Sequence, residues 1–211
     1  MKGYRKKQYK DHPFLCGLYI TLIVIAFILP FFSDPEYSIS KHTLYELGAQ
    51  KTPYNWIMNF VLILLGLISF VNGFRILQKQ RVQLLILLVF CLSLVLSAIF
   101  LSAPIDRKLV FDSFQNEIHS VFSIITGISF CAYSLVISFA ARWRSQKLMA
   151  LFVGIITLIG SFLMFIHSDY RGIYQRGIFM ITFGWILYSF KYYEYVYAKK
   201  EYFKLIKENQ K

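Results

Sequence analysis

Leu84-Leu85-Ile86-Leu87-Leu88-Val89-Phe90-Cys91-Leu92-Ser93-Leu94-Val95-Leu96-Ser97-Ala98-Ile99-Phe100-Leu101-Ser102-Ala103 runs without one charged side chain, glycine or proline. A hydrocarbon core about 30 Å thick takes roughly 20 apolar residues of α-helix to cross, and this stretch supplies them. Working outward, windows of the same kind lie at Pro13 to Phe32, Pro53 to Leu77, Ile118 to Ala141, Leu148 to Ile166 and Ile173 to Tyr193. Together they use most of the 211 residues and leave no room for a separate soluble domain. The expected fold is therefore all-α: a polytopic membrane bundle of six transmembrane helices, forming one domain over 1–211. Composition agrees, since 57% hydrophobic and 18% aromatic residues are too many for a hydrated surface.

A net charge of +12 raises the question of a nucleic-acid partner, and the positions of the charges answer it. Lys2, Arg5, Lys6, Lys7 and Lys10 precede the first window. Arg75, Lys79 and Arg81 follow the second, Arg142, Arg144 and Lys147 the fourth, and Lys191, Lys199, Lys200, Lys204, Lys207 and Lys211 close the chain. These are 17 of the 23 Lys and Arg, all on one side of a six-span layout. The other side holds Lys41, Lys51, Arg107, Lys108, Arg171 and Arg176 among seven acidic residues. The positive-inside rule then puts both termini in the cytoplasm, in a cell membrane crossed several times. The basic ends (1–12, and an amphipathic tail over 199–211) suit anionic lipid at the cytoplasmic face, so the expected partner is the bilayer and not nucleic acid. The first window is too long for a cleaved signal peptide, and Phe31-Phe32-Ser33-Asp34-Pro35 offers no small-residue cleavage site. Cys16, Cys91 and Cys131 lie inside apolar windows at no metal-ligand spacing and read as small core hydrophobes.

The loop from 33 to 52 is long and rich in polar and aromatic residues. Within it Ser40 to Gly48 reads as a short capped helix ending at glycine, with Pro53 in the first turn of the next helix. A structured outer loop folding back over the bundle is the expectation. The short basic connections after Leu77 and Ala141 make their flanking helices antiparallel neighbours. Gly66, Gly73, Gly127, Gly154, Gly160 and Gly184 suit close helix packing, with a ligand path as the alternative. Tyr188, Tyr192, Tyr193, Tyr195 and Tyr197, opposite Trp143, read as an interfacial aromatic belt.

The ionisable residues outside the cytoplasmic clusters gather at the outer rim: His42 and Glu46 four apart, Asp106 after Pro104, His119 at the mouth of the fourth window, His167 and Arg176 around the last turn. Ionisable groups at membrane depth pair, line cavities or serve chemistry. His42, Glu46, Asp106, His119 and Arg176 are the expected ligand contacts, with Glu46, Asp106 and His119 as candidate catalytic groups. His42, His119 and His167 are the candidate ligands of a divalent metal. The bland alternative has Arg176 pairing with Glu46 or Asp106 to pin the loops. No zincin, phosphate-loop or nucleophile-elbow motif occurs, and no acidic residue lies within the six windows, which disfavours ion-coupled transport.

His42-Thr43-Leu44-Tyr45-Glu46-Leu47-Gly48, Pro53-Tyr54-Asn55-Trp56-Ile57-Met58-Asn59 with Leu64-Leu65-Gly66, Pro104-Ile105-Asp106, Ile118-His119-Ser120 and Gly172-Ile173-Tyr174-Gln175-Arg176 occur in this order. In them the chain resembles the bacterial and archaeal membrane family catalogued as domain of unknown function number 998, over nearly all of its length. The resemblance implies a six-helix bundle and no established reaction. It leaves three readings: an outward-facing site for a polar or anionic lipid headgroup or small envelope molecule; a membrane-embedded metal-dependent hydrolase acting on lipid, in the manner of the alkaline-ceramidase-like superfamily; or a structural subunit of a membrane complex. The hydrolase reading requires the three histidines to converge on one metal.

Overall fold

The computed structural model describes residues 12–106 and 108–209, with side chains placed as far as Lys199. The basic tail 1–11, Arg107 and the side chains of 200–211 lie outside the described residues. Among the described residues there are six long α-helices and one short one: α1 (Pro13–Ile28), prolonged by a 3-10 turn over Leu29–Phe32; α2 (Leu44–Leu47); α3 (Asn55–Ile76); α4 (Arg81–Ile99); α5 (Ser113–Ala140); α6 (Arg144–Ile166); and α7 (Arg171–Asn209). Among the described residues, five segments are long and apolar enough to cross a membrane: Pro13–Phe32, Asn55–Ile76, Arg81–Ile99, Ser113–Ala140 and Arg144–Ile166. The segment α7 is not among them; Gln175, Arg176, Lys191 and a run of tyrosines dilute its apolar character.

Chain neighbours pack side by side around a ring, α3 on α4, α4 on α5, α5 on α6, α6 on α7, and the ring closes through α1, which touches both α3 and α7. Helix α7 also reaches α3 and fills the centre. Phe179, Phe183, Ile186 and Phe190 recur at steps of four, three and four, all buried, the spacing that lines one helical face. Phe90 of α4 meets Phe183 of α7 with ring centroids 6.1 Å apart, and Tyr133 of α5 shares a 3.0 Å hydrogen bond with Ser189 of α7. The outer surface is the apolar one: Phe14, Phe139 and Phe165 are 79%, 76% and 83% exposed. Such an exterior is stable only in hydrocarbon, because in water it would form an apolar patch far larger than a soluble monomer carries.

Many hydroxyls inside the spans are satisfied locally, which lipid favours, although Ser69 and Ser134 are buried without a side-chain partner. Ser120, Ser123, Thr126 and Ser129 each donate to the carbonyl four residues back on α5, and Thr157 and Ser161 do so on α6. Two of the glycines permit close approach. A Cβ on Gly66 would collide with Val95, and one on Gly73 with Leu87, so the α3–α4 contact depends on both. Gly127 behaves differently, since nothing lies within 4 Å of where its Cβ would be.

At the end opposite the 33–52 loop, the α7 tyrosines are structural posts. Tyr192 Oη accepts the Arg142 amide at 2.9 Å, Tyr188 exchanges hydrogen bonds with Gln146, and Tyr192 and Tyr193 are 8% and 3% exposed, deeper than a belt residue sits. His12 Nδ1 donates to Asn72 Oδ1 at 3.1 Å, with Glu194 3.6 Å from its other nitrogen.

All five helix starts after α2 differ from the expected windows, α6 beginning at Arg144 in place of Leu148 and α7 at Arg171 in place of Ile173. α3 begins at Asn55 and not at Pro53, because Lys51 and Tyr54 take left-handed backbone (φ 62° and 56°) around the Thr52-Pro53 turn. α5 begins at Ser113, more than a turn before Ile118, because Asp112 caps it by accepting from the Gln115 amide at 3.2 Å. α4 begins at Arg81 and stops at Ile99. The last residues of the apolar run then extend along the rim, where the Ala103 amide donates to Asn116 Oδ1 at 2.8 Å.

Candidate functional site

The loop from 33 to 52 is a plug seated in the end of the bundle. Its short helix is built on a capping box: Thr43 Oγ1 accepts from the Glu46 amide at 3.3 Å while Glu46 Oε2 accepts from the Thr43 amide at 2.6 Å, satisfying two end-of-helix donors. The result buries Leu44, Tyr45, Leu47 and Ala49. Gly48 ends the helix for a reason other than backbone freedom. Its φ is −94°, ordinary for any residue, but a Cβ there would collide with the Asn59 carboxamide, which donates to the Gly48 carbonyl at 2.9 Å. Gln50 ties plug to rim through its backbone amide on Ser102 O at 2.9 Å and its carboxamide, which donates to Leu101 O and Asp112 O and accepts from the Asp112 amide.

Arg176 is the clamp. It is 2% exposed; Nε donates to Ala26 O at 3.1 Å, Nη1 to the carbonyls of Ile39, His42 and Gly172 at 2.8, 3.0 and 3.0 Å, and Nη2 to Tyr37 Oη at 2.7 Å. Tyr37 passes its own proton to the carbonyls of His42 and Thr43 at 3.1 and 2.8 Å. Burial drives the Tyr37 phenol up to about 12 against the pull of Arg176, so it stays a neutral donor. The expected partner of Arg176, Glu46 or Asp106, is replaced by this carbonyl cage. Glu46 pairs instead with Arg171, at 2.8 Å, and Asp106 Oδ1 accepts the Lys108 amide at 2.9 Å within its own turn. Gly172 lets α7 enter the cage: its amide donates to Ser40 O at 2.8 Å, and a Cβ there would strike the backbone carbonyls of Ile39, Ser40 and His42.

Two of the three histidines are engaged in local hydrogen bonds. His42 Nδ1 accepts from the Ser38 amide at 2.9 Å, which places its proton on Nε2; burial lowers its pKa, with Glu46 opposing. His119 Nδ1 faces two carbonyls, Ser97 at 2.7 Å and Phe100 at 3.0 Å, so that nitrogen carries the proton. The ring also packs edge-on against Tyr45, with centroids 4.8 Å apart. His167 is exposed at the end of α6. Among the described residues no group of three His, Cys, Asp or Glu side chains is placed to hold a metal ion. The expected convergence of His42, His119 and His167 does not occur.

Beneath the plug, between α4, α5, α6 and α7, lies a cavity of about 480 Å³. Tyr45 of the plug and Gln175 of α7 lie at its outer end, Cys131, Thr157 and Phe183 deep in the bundle, and Gly127 opens its α5 wall. Its lining carries no Asp, Glu, Lys, Arg or His. Gln175 bridges plug and cavity, since its Oε1 accepts from the Leu44 amide at 2.6 Å. Tyr37, Gln50, Asn59 and Gln175 were not singled out as site residues at the sequence level. The available signal was uncharged amides beside or within apolar windows, which lipid makes as needful of partners as charges.

An all-α bundle with an apolar exterior, five helices of membrane-crossing length and a polar plug at one end is a polytopic membrane protein. Residues 17–189 match the family described as "Protein of unknown function (DUF998)". The chain belongs to that family. No curated protein and no solved structure matches it.

Proposed function

We propose that the protein crosses the cell membrane six times with both termini in the cytoplasm, and that it binds a lipid or small amphipathic envelope molecule at its outer face. The sixth crossing is supported by the run of α7. Its first residues bond to the plug through Gly172, Gln175 and Arg176, and at the opposite end Tyr188 bonds to Gln146 in the first turn of α6 and Tyr192 to the Arg142 amide in the connection between α5 and α6. The orientation rests on the 17 to 6 division of basic residues, and the same division favours anionic lipid at the cytoplasmic face.

The observation that carries the binding reading is the cavity: about 480 Å³ is within the range of ligand sites, about 300–1,000 Å³, and it is roofed by a plug fixed through Arg176, Gln175, Gln50 and the Arg171–Glu46 pair. In this reading Arg176, His119, His42 and Glu46 hold the roof, and Asp106 shapes the rim. Native mass spectrometry of the full chain released from nanodiscs of bacterial lipid is the test. A lipid adduct surviving activation that strips the surrounding annulus is the expected result. A bare protein under the same conditions would overturn the reading.

A further inference from the structure

The cavity has a direction. Ile124 and Ile128 of α5 and Leu158 and Phe165 of α6 all line it, yet they are 58%, 65%, 61% and 83% exposed. A residue that lines a cavity and is also exposed stands at its mouth. The mouth therefore lies between α5 and α6, on the apolar surface of the bundle. Nearer the cytoplasmic loop the two helices close, with a Cβ at Gly154 reaching ordinary contact distance, 3.5 Å, from Ser134.

The lining restricts what can enter. With no charged side chain on the wall, a phosphate or ammonium inside would lack a counter-charge, and burial of an unpaired ion is costly. At about 30 Å³ for each water-sized group, 480 Å³ takes on the order of sixteen methylene-sized groups, enough for one hydrocarbon chain. From Gln175 to Phe183 the helix rises on the order of 12 Å, so the space is elongated along the bundle.

Of the polar side chains on the wall, Gln175 stands at the plug end. Gln175 is 8% exposed, its Oε1 is fixed by the Leu44 amide, and that bond turns the carboxamide nitrogen the other way. The nitrogen has no hydrogen-bond partner among the described residues, and Gln175 lines the cavity. A buried N–H donor beside an apolar slot calls for an acceptor on the ligand at the head of its chain.

Resting on the reading that the cavity binds a lipid, we propose that its ligand is an ester-linked lipid of the outer leaflet, one of whose acyl chains slides sideways between α5 and α6. The ester carbonyl accepts from Gln175 Nε2, and the headgroup stays outside the slot. The plug is the roof against which the chain's carbonyl end stops, and Gly127, exposed and lining the cavity, is the mouth residue whose missing side chain leaves room for the chain.

The test uses the full chain in nanodiscs doped with phosphatidylglycerol carrying a diazirine on one acyl chain, with cross-linked peptides mapped by mass spectrometry. Cross-links should fall on peptides containing Cys131, Thr157 and Phe183. They should drop by about tenfold or more in Gly127→Leu, whose side chain fills the slot; Ser161→Leu is the second plugging variant should the first fail to fold. Gln175→Met, or an ether-linked analogue of the same probe, should reduce them several-fold. If cross-links lie only on outward residues such as Phe14 and are unchanged in both plugging variants, while native mass spectrometry still shows a retained lipid, the slot assignment falls and the lipid-binding reading stands. If no lipid is retained, both fall. Stronger labelling of the slot by a diazirine-bearing isoprenoid alcohol than by the ester probe would overturn the ester assignment.

Discussion

Arg176 shows what a guanidinium does when lipid denies it water. Its donors reach carbonyls on α1, the plug and its own helix, and the Tyr37 phenol, so one side chain joins three separate parts of the chain. A lysine ammonium has three donors at a single point and cannot span that fork. Arg176→Lys should leave at least two of these acceptors unpaired, at about 1–3 kcal/mol for each buried group, and lower the thermal unfolding midpoint in nanodiscs by several degrees. Lys79→Ala removes only an approach to the Tyr197 ring at 5.7 Å, worth about 0.5–1 kcal/mol. Equal midpoints for the two variants would show the cage to be dispensable. The weight of Arg176 was legible in the sequence as a cation a few residues into an apolar window. Its partners were not, because the expectation searched for carboxylates, and the acceptors are backbone carbonyls that every residue possesses. Gln175 was hidden similarly: an uncharged amide gives no charge signal, and its role depends on Leu44, brought near only by the fold.

At the scale of elements, the plug was legible and its attachment was not. The capping box over Thr43 to Glu46 is a local pattern and appeared where the sequence placed a short helix, although that helix is confined to Leu44–Leu47. The start of α3 escaped because left-handed backbone at Lys51 and Tyr54 has no marker in a non-glycine residue. A pH dependence follows from His42. Its pKa is lowered in the folded protein, first by burial, so the unfolded chain binds the proton more readily and stability falls as pH drops below the ordinary histidine value of about 6.5. Protonation also removes the Nδ1 lone pair that accepts from Ser38. Amide exchange at Ser38 to Thr43, corrected for intrinsic rate, should therefore be faster at about pH 5 than at about pH 7.5. His42→Asn, which retains a short side-chain acceptor, should flatten the difference. Identical pH profiles for wild type and variant would remove His42 from the account.

For the whole molecule the open quantity is parity. Five crossings put the termini on opposite sides of the membrane and six put them on the same side, so the status of α7 decides the layout. Hydropathy alone leaves α7 out because Gln175, Arg176 and the tyrosines dilute it, but several of those residues bond inside the bundle: Gln175 Oε1 to the Leu44 amide, Arg176 to its carbonyl cage, Tyr188 to Gln146 in the first turn of α6, and Tyr192 to the Arg142 amide in the loop after α5. A polar side chain whose hydrogen bonds are met internally costs lipid far less than its transfer value suggests. Helix α7 is also flanked by α1 and α6, both apolar enough to span, and it bonds to loops at both their ends. These contacts support the proposed sixth crossing. Reporter fusions after residue 211 and before residue 1 should both report the cytoplasm, and a cysteine introduced at Asp169, in a Cys16→Ser background, should react with membrane-impermeant maleimide from outside. A C-terminal reporter on the same side as Asp169 would reduce the count to five, and a C-terminal reporter on the outer side with Asp169 unreactive there would keep six crossings but turn the plug and its cavity toward the cytoplasmic leaflet.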